Sequence, residues 1–543
     1  MRVMRDTDLA LVGSGFGASI LAMIARRLGL RVTLFERGRH PRFAIGESAS
    51  PLAGILIEQL SDRYGLPRLR PLSAYGTWQR DYPEVVCGLK RGFTYFKHEA
   101  GCSYRADAGR TNQLLVAASP SDELSDTHWL RSDVDRFLVN EAVSLGADYL
   151  DEVSLDAVGW RSGGDPELHG TRHGRPLRVR ARFVVDASGP RGFLSRALAI
   201  DDRGFDGYPP TQALYSHFTG VARCDEMPDY GPGTRDWGLG TGDSGSGIGD
   251  PSSQVPPYPI DDAALHHVFD GGWMWVLRFG NGVTSAGVAV EDWLAEDLRI
   301  AEGAPAWARL LARYPSVAAQ FADARAIREF TWMPRLAYRA SVAAGDRWAM
   351  LPSAAAFVDP LFSTGIPLTL LGIERLARLL ELSGGRGGSF DPPAVDPPSG
   401  LADYSQATLA EADLTARFVA GSYAAFSRFE MFAAYSMFYF AAASFSEMAR
   451  RLSSDCAPRG FLCAGNAAFT SAIEKLSPAR RRATDVEGFE NEVAAAVADW
   501  NIAGLCDRDK DNWYGVDLED TVRGAGKLGL TPEQVRHALG RSL

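Results

Sequence analysis

Cysteine is scarce in this sequence and is never closely paired. Its 543 residues include six cysteines, and no two of them form a Cys-x-x-Cys motif. This usage excludes a disulfide framework and the common zinc spacings, and it is typical of reduced thiols in the cytosol. We therefore expect a cytoplasmic protein without a metal centre.

Excess basic charge and long apolar runs are also missing. Acidic residues outnumber basic ones, 67 to 57, and the net charge is −10. This balance argues against nucleic acid or an anionic membrane surface as the main partner. The longest uncharged apolar stretch, 431–446, is short for a membrane span, so we expect a buried helix there. The N-terminal residues lead directly into an apolar strand, so we expect no signal peptide.

The first thirty residues contain the strongest local pattern. An apolar run (9–12) leads into Gly-Ser-Gly-Phe-Gly-Ala (13–18), a helical stretch (20–28) and a second apolar run (32–35) that ends at Glu36. This order is that of a dinucleotide-binding βαβ unit, although a glycine turn without a ligand is the alternative. The helix N-terminus would hold the pyrophosphate, and the acid would bind ribose hydroxyls. The candidate ligands are Gly13, Gly15, Phe16, Gly17, Ala18, Glu36 and Arg37.

Two later strands are predicted to join the same sheet. The apolar run 181–186 ends in Asp-Ala-Ser-Gly, which is common where two-dinucleotide-domain flavoproteins return to the adenine half of their cofactor. Residues 345–351 form another apolar strand with an acidic turn at Asp346. Residues 357–366 then lead into a predicted helix, 367–382, whose N-terminal amides would suit anionic atoms such as a reduced isoalloxazine ring or a halide.

The middle of the chain indicates a second, antiparallel sheet. Strands are predicted within 208–223 and 271–290, and period two places Trp273 and Trp275 on one face, either as core or as an aromatic wall. The C-terminal aromatic residues of 418–445 have helical spacing, so they form a core stripe or line a substrate pocket. The predicted regions are 1–200 and 341–385 (nucleotide-binding), 201–340 (substrate-side sheet with a mobile loop, 227–259) and 401–543 (helical).

Two features stay open on the residues alone. The loop 40–51, with Glu47 between apolar runs, suits either a wall against a ligand or a plain helix N-cap at Ser50. Lys90 stands at the entry of a strand predicted within 87–98, where a lysine is usually solvated.

The combined motifs resemble the flavin-dependent halogenases, especially the bacterial phenol-type, tryptophan-halogenase-like branch. The matching stretches are the glycine turn, 40–51, 87–93, 265–279 and 357–365, within about residues 5–380. A Phe-x-x-Pro-x-x-Ser-x-Gly pattern is formed by Phe357, Pro360, Ser363 and Gly365.

The resemblance implies an α/β fold: a Rossmann-type FAD-binding domain of the p-hydroxybenzoate hydroxylase and glutathione reductase type, an antiparallel substrate-side sheet and a mainly helical C-terminal region. It implies reduced FAD as cosubstrate, supplied by a separate NAD(P)H-dependent flavin reductase. Chloride or bromide would be oxidised by O2 to hypohalous acid, which a lysine presents to an electron-rich, phenol-like ring, free or carrier-bound.

The resemblance also implies site residues. Lys90 falls in Cys-Gly-x-Lys-x-Gly-Phe and would be the catalytic lysine, with Lys97 as the fallback, while Glu47 is catalytic without an assigned step. Further FAD contacts are implied for Ser48, Arg131, Asp186, Asp346, Pro360, Gly365 and Ile366, halide contacts for Ser363, Thr364 and Gly365, and a substrate-side wall for Trp273, Trp275, Arg278 and Phe362.

One departure from the family pattern keeps other functions open. The tryptophan motif ends Trp-x-Trp-x-Leu-Arg here, where the family has Ile-Pro, and this segment is thought to keep substrate away from the flavin. Arg278 adds a cation that could hold an acidic substrate. A flavin monooxygenase that hydroxylates its substrate is therefore the main alternative, and a flavin-binding protein without catalysis is the second.

Overall fold

The computed structural model describes residues 4–160, 164–230, 255–384, 390–393, 400–452, 460–480 and 485–542. Most of the predicted mobile loop, 231–254, and most of the linker after residue 384 lie outside them. The strands are β1 Met4–Val12, β2 Val32–Phe35, β3 Cys87–Lys90, β4 Gly92–Lys97, β5 Gln113–Ala117, β6 Asp126–Trp129, β7 Asp148–Leu150, β8 Val153–Trp160, β9 Pro166–Arg172, β10 Arg175–Asp186, β11 Thr211–Thr219, β12 Ala264–Phe269, β13 Gly272–Arg278, β14 Thr284–Glu291, β15 Arg325–Ala326, β16 Thr331–Met333, β17 Tyr338–Arg339, β18 Ala344–Gly345, β19 Trp348–Met350, β20 Ala356–Phe357 and β21 Trp513–Tyr514.

Helices cover both faces of the first sheet and dominate the C-terminal part. They are α1 Phe16–Arg27, α2 Pro51–Tyr64, α3 Tyr75–Asp81, α4 Arg131–Ser144, α5 Phe193–Ala197, α6 Asp292–Leu298, α7 Ala304–Arg313, α8 Pro315–Gln320, α9 Pro352–Ala355, α10 Gly365–Leu382, α11 Leu401–Tyr423, α12 Phe429–Arg451, α13 Ala467–Lys475, α14 Val486–Val497, α15 Leu518–Arg523 and α16 Pro532–Ser542.

The first sheet is built around β1, which pairs in parallel with β10 on one side and with β2 on the other. Its order is β18-β19-β10-β1-β2-β7, with β9 and β8 extending from β10. Leu9 and Leu11 belong to one apolar core and Ala10 and Val12 to another. Because both faces are covered, β1 is apolar throughout instead of alternating.

The carboxyl ends of the central strands meet at one edge of this sheet. The pairing aligns Val12 with Phe35 and with Asp186, and Asp186 with Met350. Strands for one sheet therefore come from residues 4–35, 148–186 and 344–350, as expected for a discontinuous nucleotide-binding sheet. In such sheets ligands bind outside the carboxyl ends of the strands, next to the helix that follows the first strand.

The second sheet has the order β15-β11-β14-β13-β12-β4-β5-β21, and β16 also pairs with β11. Its centre is antiparallel, whereas the pairs β12–β4 and β5–β21 are parallel. Strands from residues 92–117 and 513–514 complete it, so this sheet is not confined to 201–340. The predicted strand over 87–98 is two strands, because the chain leaves β3, which pairs with β6, and enters the large sheet at β4.

The long helix α12 contains the apolar stretch that the sequence assigns to a buried helix. Met431, Phe432, Phe438 and Ala441 on it are fully buried. Among the described residues, no helix is both long enough and apolar enough to pass through a bilayer. Packing of α12 against β4 and β5 closes one side of the site described below.

Candidate functional site

The glycine turn after β1 has the backbone that a dinucleotide requires. Gly13 has φ +98°, and a Cβ there would lie 2.6 Å from the carbonyl oxygen of Ala187. Helix α1 begins directly after Gly15. Its first amides therefore face the carboxyl edge of the sheet, where the dipole of the helix attracts negative charge.

Two arginines complete an anion-binding cradle at this turn. A Cβ on Gly15 would lie 3.2 Å from the guanidinium of Arg131 and 3.6 Å from that of Arg42. The amide of Phe16 donates to the carboxylate of Asp135 (3.1 Å), so it already points at an anion. Asp135 also holds Arg131 through two hydrogen bonds of 2.9 Å. The dipole of the helix start, the two guanidinium groups and the absence of a side chain at Gly15 fit a pyrophosphate.

Glu36 stands at the end of β2, as predicted for a ribose ligand. Burial opposes its charge, yet Arg42, the amide of Gly38 and the hydroxyl of Ser14 together lower the pKa of Glu36 below its usual range. The hydroxyl of Ser14 donates to this carboxylate at 2.7 Å. Arg37, in contrast, is exposed beside it. The side chain placed for the ribose is therefore an ionised acid.

Two residues predicted to contact the nucleotide, Asp186 and Asp346, do not face the cradle in the same way as Glu36. Asp186 is fully buried, and its carboxylate accepts bonds from Ser188 (2.6 Å) and from the amide of Leu194 (2.6 Å), so it holds its own loop. Asp346 was predicted wrongly as a contact. It is exposed in the hairpin before β19, at the amino end of that strand, whereas the cradle lies at the carboxyl end.

The N-terminus of α10 forms a second anion-binding feature. Thr364 is its N-cap, Ser363 before it has φ +55°, and Gly365 is exposed with open space where a Cβ would be. Pro360 and Ile366 flank this turn; the carbonyl of Pro360 accepts the amide of Ser363 (3.0 Å). An unobstructed helix start of this kind suits a halide or the negative end of a reduced ring.

The segment from Glu47 to Ser50 connects this helix start to Lys90. Glu47 is buried and hydrogen-bonded to Nε2 of His217 at 2.7 Å. The next residue, Ser48, accepts a bond from the hydroxyl of Ser363 at 2.9 Å. Ala49 then accepts one from Nζ of Lys90 at 2.5 Å. Three consecutive residues thus contact His217, the predicted halide helix and the predicted lysine.

Lys90 is fully buried, so the expectation of a solvated lysine is wrong. Its Nζ lies 4.0 Å from the ring centroid of Phe93, a cation–π contact. Burial lowers the pKa of Lys90 to about 8, although Asp126 and Glu447 pull it upward. Lys97, the fallback, instead makes a surface ion pair with Asp270 (2.7 Å) and donates to a carbonyl.

Two carboxyl groups accompany the lysine. Asp126 lies directly opposite Lys90 in the β3–β6 ladder, and burial raises its pKa to about 7. Glu447 comes from α12; burial and the charge of Asp126 raise its pKa to about 8. Acids and a base that titrate near neutrality in one place are typical of sites that transfer protons.

A cavity of about 120 Å³ adjoins this group. Four aromatic residues stand in its walls, which come mainly from β4, α12 and the C-terminal segment near β21. The lining includes Phe93, Tyr439, Phe440, Glu447 and Tyr514. Lys90 itself does not line the cavity, but the ring of Phe93, which its Nζ contacts, does.

The predicted substrate-side wall is divided between two faces. The rings of Trp273 and Trp275 are buried on the same face of β13, 5.7 Å apart. Phe362 stacks on Tyr439 of the cavity at 4.6 Å. Arg278 was placed wrongly in this wall. It lies on the other face, where it binds Asp261 (2.9 Å) and two backbone carbonyls, so it is not available to an acidic substrate.

Sequence reasoning missed Arg42, Asp135, Asp126 and Glu447. Asp135 stands four residues after Arg131 on α4, so helical spacing could have predicted the Arg131–Asp135 ion pair. Arg42, which also contacts Asp135, lies in the loop after β2. Nothing in the sequence signals Asp126 or Glu447, because only the tertiary fold brings them to Lys90.

The fold is that of FAD-binding flavoproteins with an antiparallel second sheet and a helical C-terminal region, as predicted. The crystal structure of halogenase PltM in complex with phloroglucinol and FAD superimposes with a TM-score of 0.76 at 22% identity, covering 93% of this chain and 99% of that one. No family model matches the chain.

Sequence relatives agree with this fold. The tetracycline 7-halogenase of Kitasatospora aureofaciens is 30% identical over 382 residues, 69% of this chain and 63% of that protein. The monodechloroaminopyrrolnitrin halogenase PrnC of Pseudomonas fluorescens is 28% identical over 397 residues, 71% and 63% of the two chains. The alignments thus span just under two thirds of these relatives. The chain is a relative of the flavin-dependent halogenases, which confirms the resemblance seen in its motifs.

Proposed function

We propose that the protein is a flavin-dependent halogenase that acts on an electron-rich aromatic ring. The observation that carries this proposal is the buried Lys90, connected by residues 47–50 to the helix start at Ser363. A lysine without access to bulk water is suited to holding a reactive species that water would otherwise dilute. The kinship with halogenases supports the same activity.

The cofactor of this proposal is FAD, delivered in reduced form by a separate flavin reductase in the cytoplasm. When bound, it would supply the two electrons that let O2 oxidise chloride or bromide to hypohalous acid. Gly13–Ala18, Arg42 and Arg131 would hold its pyrophosphate and Glu36 its ribose. Ser48, Pro360 and Ile366 would lie along the ring, and the backbone amides from Ser363 to Gly365 would hold the halide.

Lys90 acts in its ammonium form in this proposal. The ring of Phe93, the carbonyl of Ala49 and the charge of Asp126 all favour the cation. An ammonium donates a hydrogen bond to the oxygen of hypohalous acid, which makes the halogen more electrophilic and fixes its direction. Glu47, bound to His217, keeps residues 47–50 in place between the halide helix and the lysine.

The test is halogenation by the purified protein with FAD, a flavin reductase, NADH, O2 and a phenol, with and without bromide. We expect a brominated product that requires bromide, and a loss of about 1,000-fold in Lys90→Met. Lys97→Met is the matched control and keeps activity. An FAD titration of both variants verifies that the cradle is intact.

Two results would contradict the proposal. An oxygenated product that needs no halide and is indifferent to Lys90→Met would make the protein a monooxygenase. Bound FAD with no product from any phenol or indole would make it a binding protein.

A further inference from the structure

The turn before α10, residues 359–365, has a strained backbone and no side-chain cap of its own. Ser363 has φ +55°, which residues other than glycine rarely adopt. Thr364, the N-cap of α10, makes no side-chain hydrogen bond to the helix start. Within the described part of the chain, the amides of Thr364 and Gly365 donate to no other backbone group of the turn or its neighbours. Contacts from outside must therefore keep the turn in this shape.

Side chains of two other elements hold carbonyl groups of the turn. The hydroxyl of Tyr439 on α12 donates to the carbonyl of Phe362 at 2.7 Å. The hydroxyl of Tyr95 on β4 donates to the carbonyl of Leu361 at 3.4 Å. These two carbonyls are thus directed into the protein, while the amides at the helix start stay available to an anion.

The carboxyl group of Asp359 holds the first half of the turn. It is buried, and one of its oxygens accepts the amide of Leu361 at 2.9 Å. The other oxygen accepts the hydroxyl of Tyr423 at 2.9 Å and a longer bond, of 3.5 Å, from the hydroxyl of Tyr208. Tyr423 is the last residue of α11, so Asp359 connects the turn to the C-terminal helices.

The surroundings of Asp359 contain hydrogen-bond donors instead of a counter-ion. Burial raises the pKa of Asp359 to about 7, although the amide of Leu361 and the hydroxyls of Tyr423 and Tyr208 oppose the rise. The indole of Trp273 opposes it too, but its nitrogen completes no hydrogen bond with any residue that the structure describes. A buried acid without a cation is costly to the fold, so its benefit lies in the groups that it orders.

We propose that Asp359 and Tyr423 are positioning residues for the halide. Their hydrogen bond, together with the bond from the amide of Leu361 to Asp359, fixes residues 359–365 in the arrangement that leaves the helix start open to an anion. Both side chains act through the backbone of the turn and not by contact with the halide. The assignment rests on the proposed halogenase function, because it names the residues that shape the halide site of that function.

Tyr423 is the best position at which to test this assignment. The rings of Tyr95 and Tyr439 pack against Phe93, the ring that the buried lysine contacts, so their substitution would disturb the lysine as well. The ring of Tyr423 packs instead beside that of Tyr208, at 6.3 Å. Removal of its hydroxyl alone therefore changes the support of the halide turn and leaves the surroundings of the lysine intact.

The binding test uses the FAD-loaded protein and chloride, without reductase or organic substrate. Broadening of the chloride NMR resonance, followed at constant ionic strength, gives the affinity. We expect Tyr423→Phe to weaken chloride binding about 5-fold and Asp359→Ala about 30-fold, because the turn loses one or both bonds of the carboxylate. Asp359→Asn should recover part of the loss, since its amide oxygen still accepts the amide of Leu361. Affinities equal to wild type in Tyr423→Phe and Asp359→Ala overturn the proposal.

Tyr435→Phe is the matched control for Tyr423→Phe. Tyr435 is an equally buried tyrosine of the helical region, but its hydroxyl donates to the carbonyls of Arg417 and Ile473, at 3.5 and 3.4 Å. It has no bond to the turn, so its variant should bind chloride like wild type. If Asp359→Ala does not fold, the comparison of these two tyrosine variants decides the proposal.

The turnover test uses the complete system with bromide and the phenol resorcinol. Tyr423→Phe should raise KM for bromide about 5-fold and keep kcat, and KM for resorcinol, within about twofold, since halide affinity alone has changed. FAD affinity, measured by titration, should equal that of wild type. A merely structural role would lower the concentration of active protein, and thus kcat, and leave KM for bromide in place. That result overturns the proposal.

The two tests separate the positioning role from the function on which it rests. If the variants weaken chloride binding and wild type forms no brominated product, the halogenase function fails while the positioning role stands. If wild type brominates resorcinol and Tyr423→Phe has the same KM for bromide and the same chloride affinity, the function stands and the positioning role fails.

Discussion

The two ends of the candidate site are built in opposite ways. The nucleotide cradle comes mostly from the first 42 residues, and its parts are glycines, a helix start and guanidinium groups. The group around Lys90 is assembled from residues 49, 90, 126 and 447, and it places a buried amine near two acids. One end binds charge with fixed donors, whereas the other tunes charge by excluding water.

This difference explains what each end can do. Amides at a helix start hold an anion of fixed charge, and they need no titration to do so. A buried lysine beside two acids has protonation states of similar free energy, so it can move protons near neutral pH. Binding at the first end and chemistry at the second should therefore be separable by mutation.

Gly13→Ala is expected to have the largest effect, because it breaks the cradle alone. The new Cβ would lie 2.6 Å from the carbonyl oxygen of Ala187 at φ +98°. Steric conflict and backbone strain should each cost about 1–3 kcal/mol. FAD binding, measured by titration, and bromination are both expected to be lost.

Gly65→Ala provides the control for Gly13→Ala. Gly65 also has positive φ (+64°), but no atom lies within 4 Å of where its Cβ would be. Gly65→Ala therefore measures the cost of backbone strain alone, and its affinity for FAD should equal that of wild type. If Gly13→Ala binds FAD normally, the turn does not hold the pyrophosphate, and the comparison of the two ends fails.

The cradle could be predicted from the sequence because its geometry is local. Strand, glycine turn and helix are neighbours in the chain, and the structure places β1, α1 and β2 close to the predicted bounds. The assignment of Asp346 failed for a physical reason. An acidic turn before a strand and one after it look alike in sequence, yet they lie at opposite edges of the sheet.

Asp126→Asn is expected to have an intermediate effect, because it changes the electrostatics of the cavity without removing Lys90. The charge of Asp126 raises the pKa of Lys90 and that of Glu447. Without it both pKa values fall, so Lys90 and Glu447 each lose their proton at a lower pH. The whole pH–rate profile should move about one unit toward acid, with a roughly 10-fold loss near pH 8.

The control for Asp126→Asn is Asp122→Asn. Asp122 is an exposed acid in the loop before β6, and it pairs with Arg91 at 2.7 Å. Bromination of resorcinol is measured across the pH range with excess reduced FAD. A profile that stays in place, or moves toward alkaline pH, would show that Asp126 does not set the charge of Lys90.

The cavity could not be predicted in the same way. Physical reasoning on the sequence treats Lys90 as solvated, and only the family resemblance selects it. Burial of its amine depends on α12 packing across β4 some 350 residues later in the chain. The hydrophobic periodicity and composition predict that α12 is apolar, but they do not predict which sheet it covers. The sequence therefore does not indicate that Asp126 and Glu447 lie near Lys90.

Arg278→Met is expected to have the smallest effect on turnover, and it tests whether Arg278 lies outside the site around Lys90. The guanidinium of Arg278 binds Asp261 and two carbonyls on the face of β13 opposite Trp273 and Trp275. Its loss leaves the buried Asp261 short of a partner, so we expect unfolding at a temperature several degrees lower. The kcat/KM for resorcinol should remain within about twofold of wild type, because the arginine has no contact with the lysine side.

Arg63→Met is the control for Arg278→Met, and both the melting temperature and the turnover of each variant are measured. Arg63 makes a half-exposed ion pair with Glu381 at 2.7 Å, and such surface pairs contribute little, so its melting temperature should hardly change. If Arg278→Met instead melts like wild type and loses bromination, the arginine acts on the substrate after all. In that case Leu277-Arg278, in place of the family's Ile-Pro, would reflect a different substrate. If Arg278→Met lowers only the melting temperature, the replacement reflects a different way of anchoring the strand.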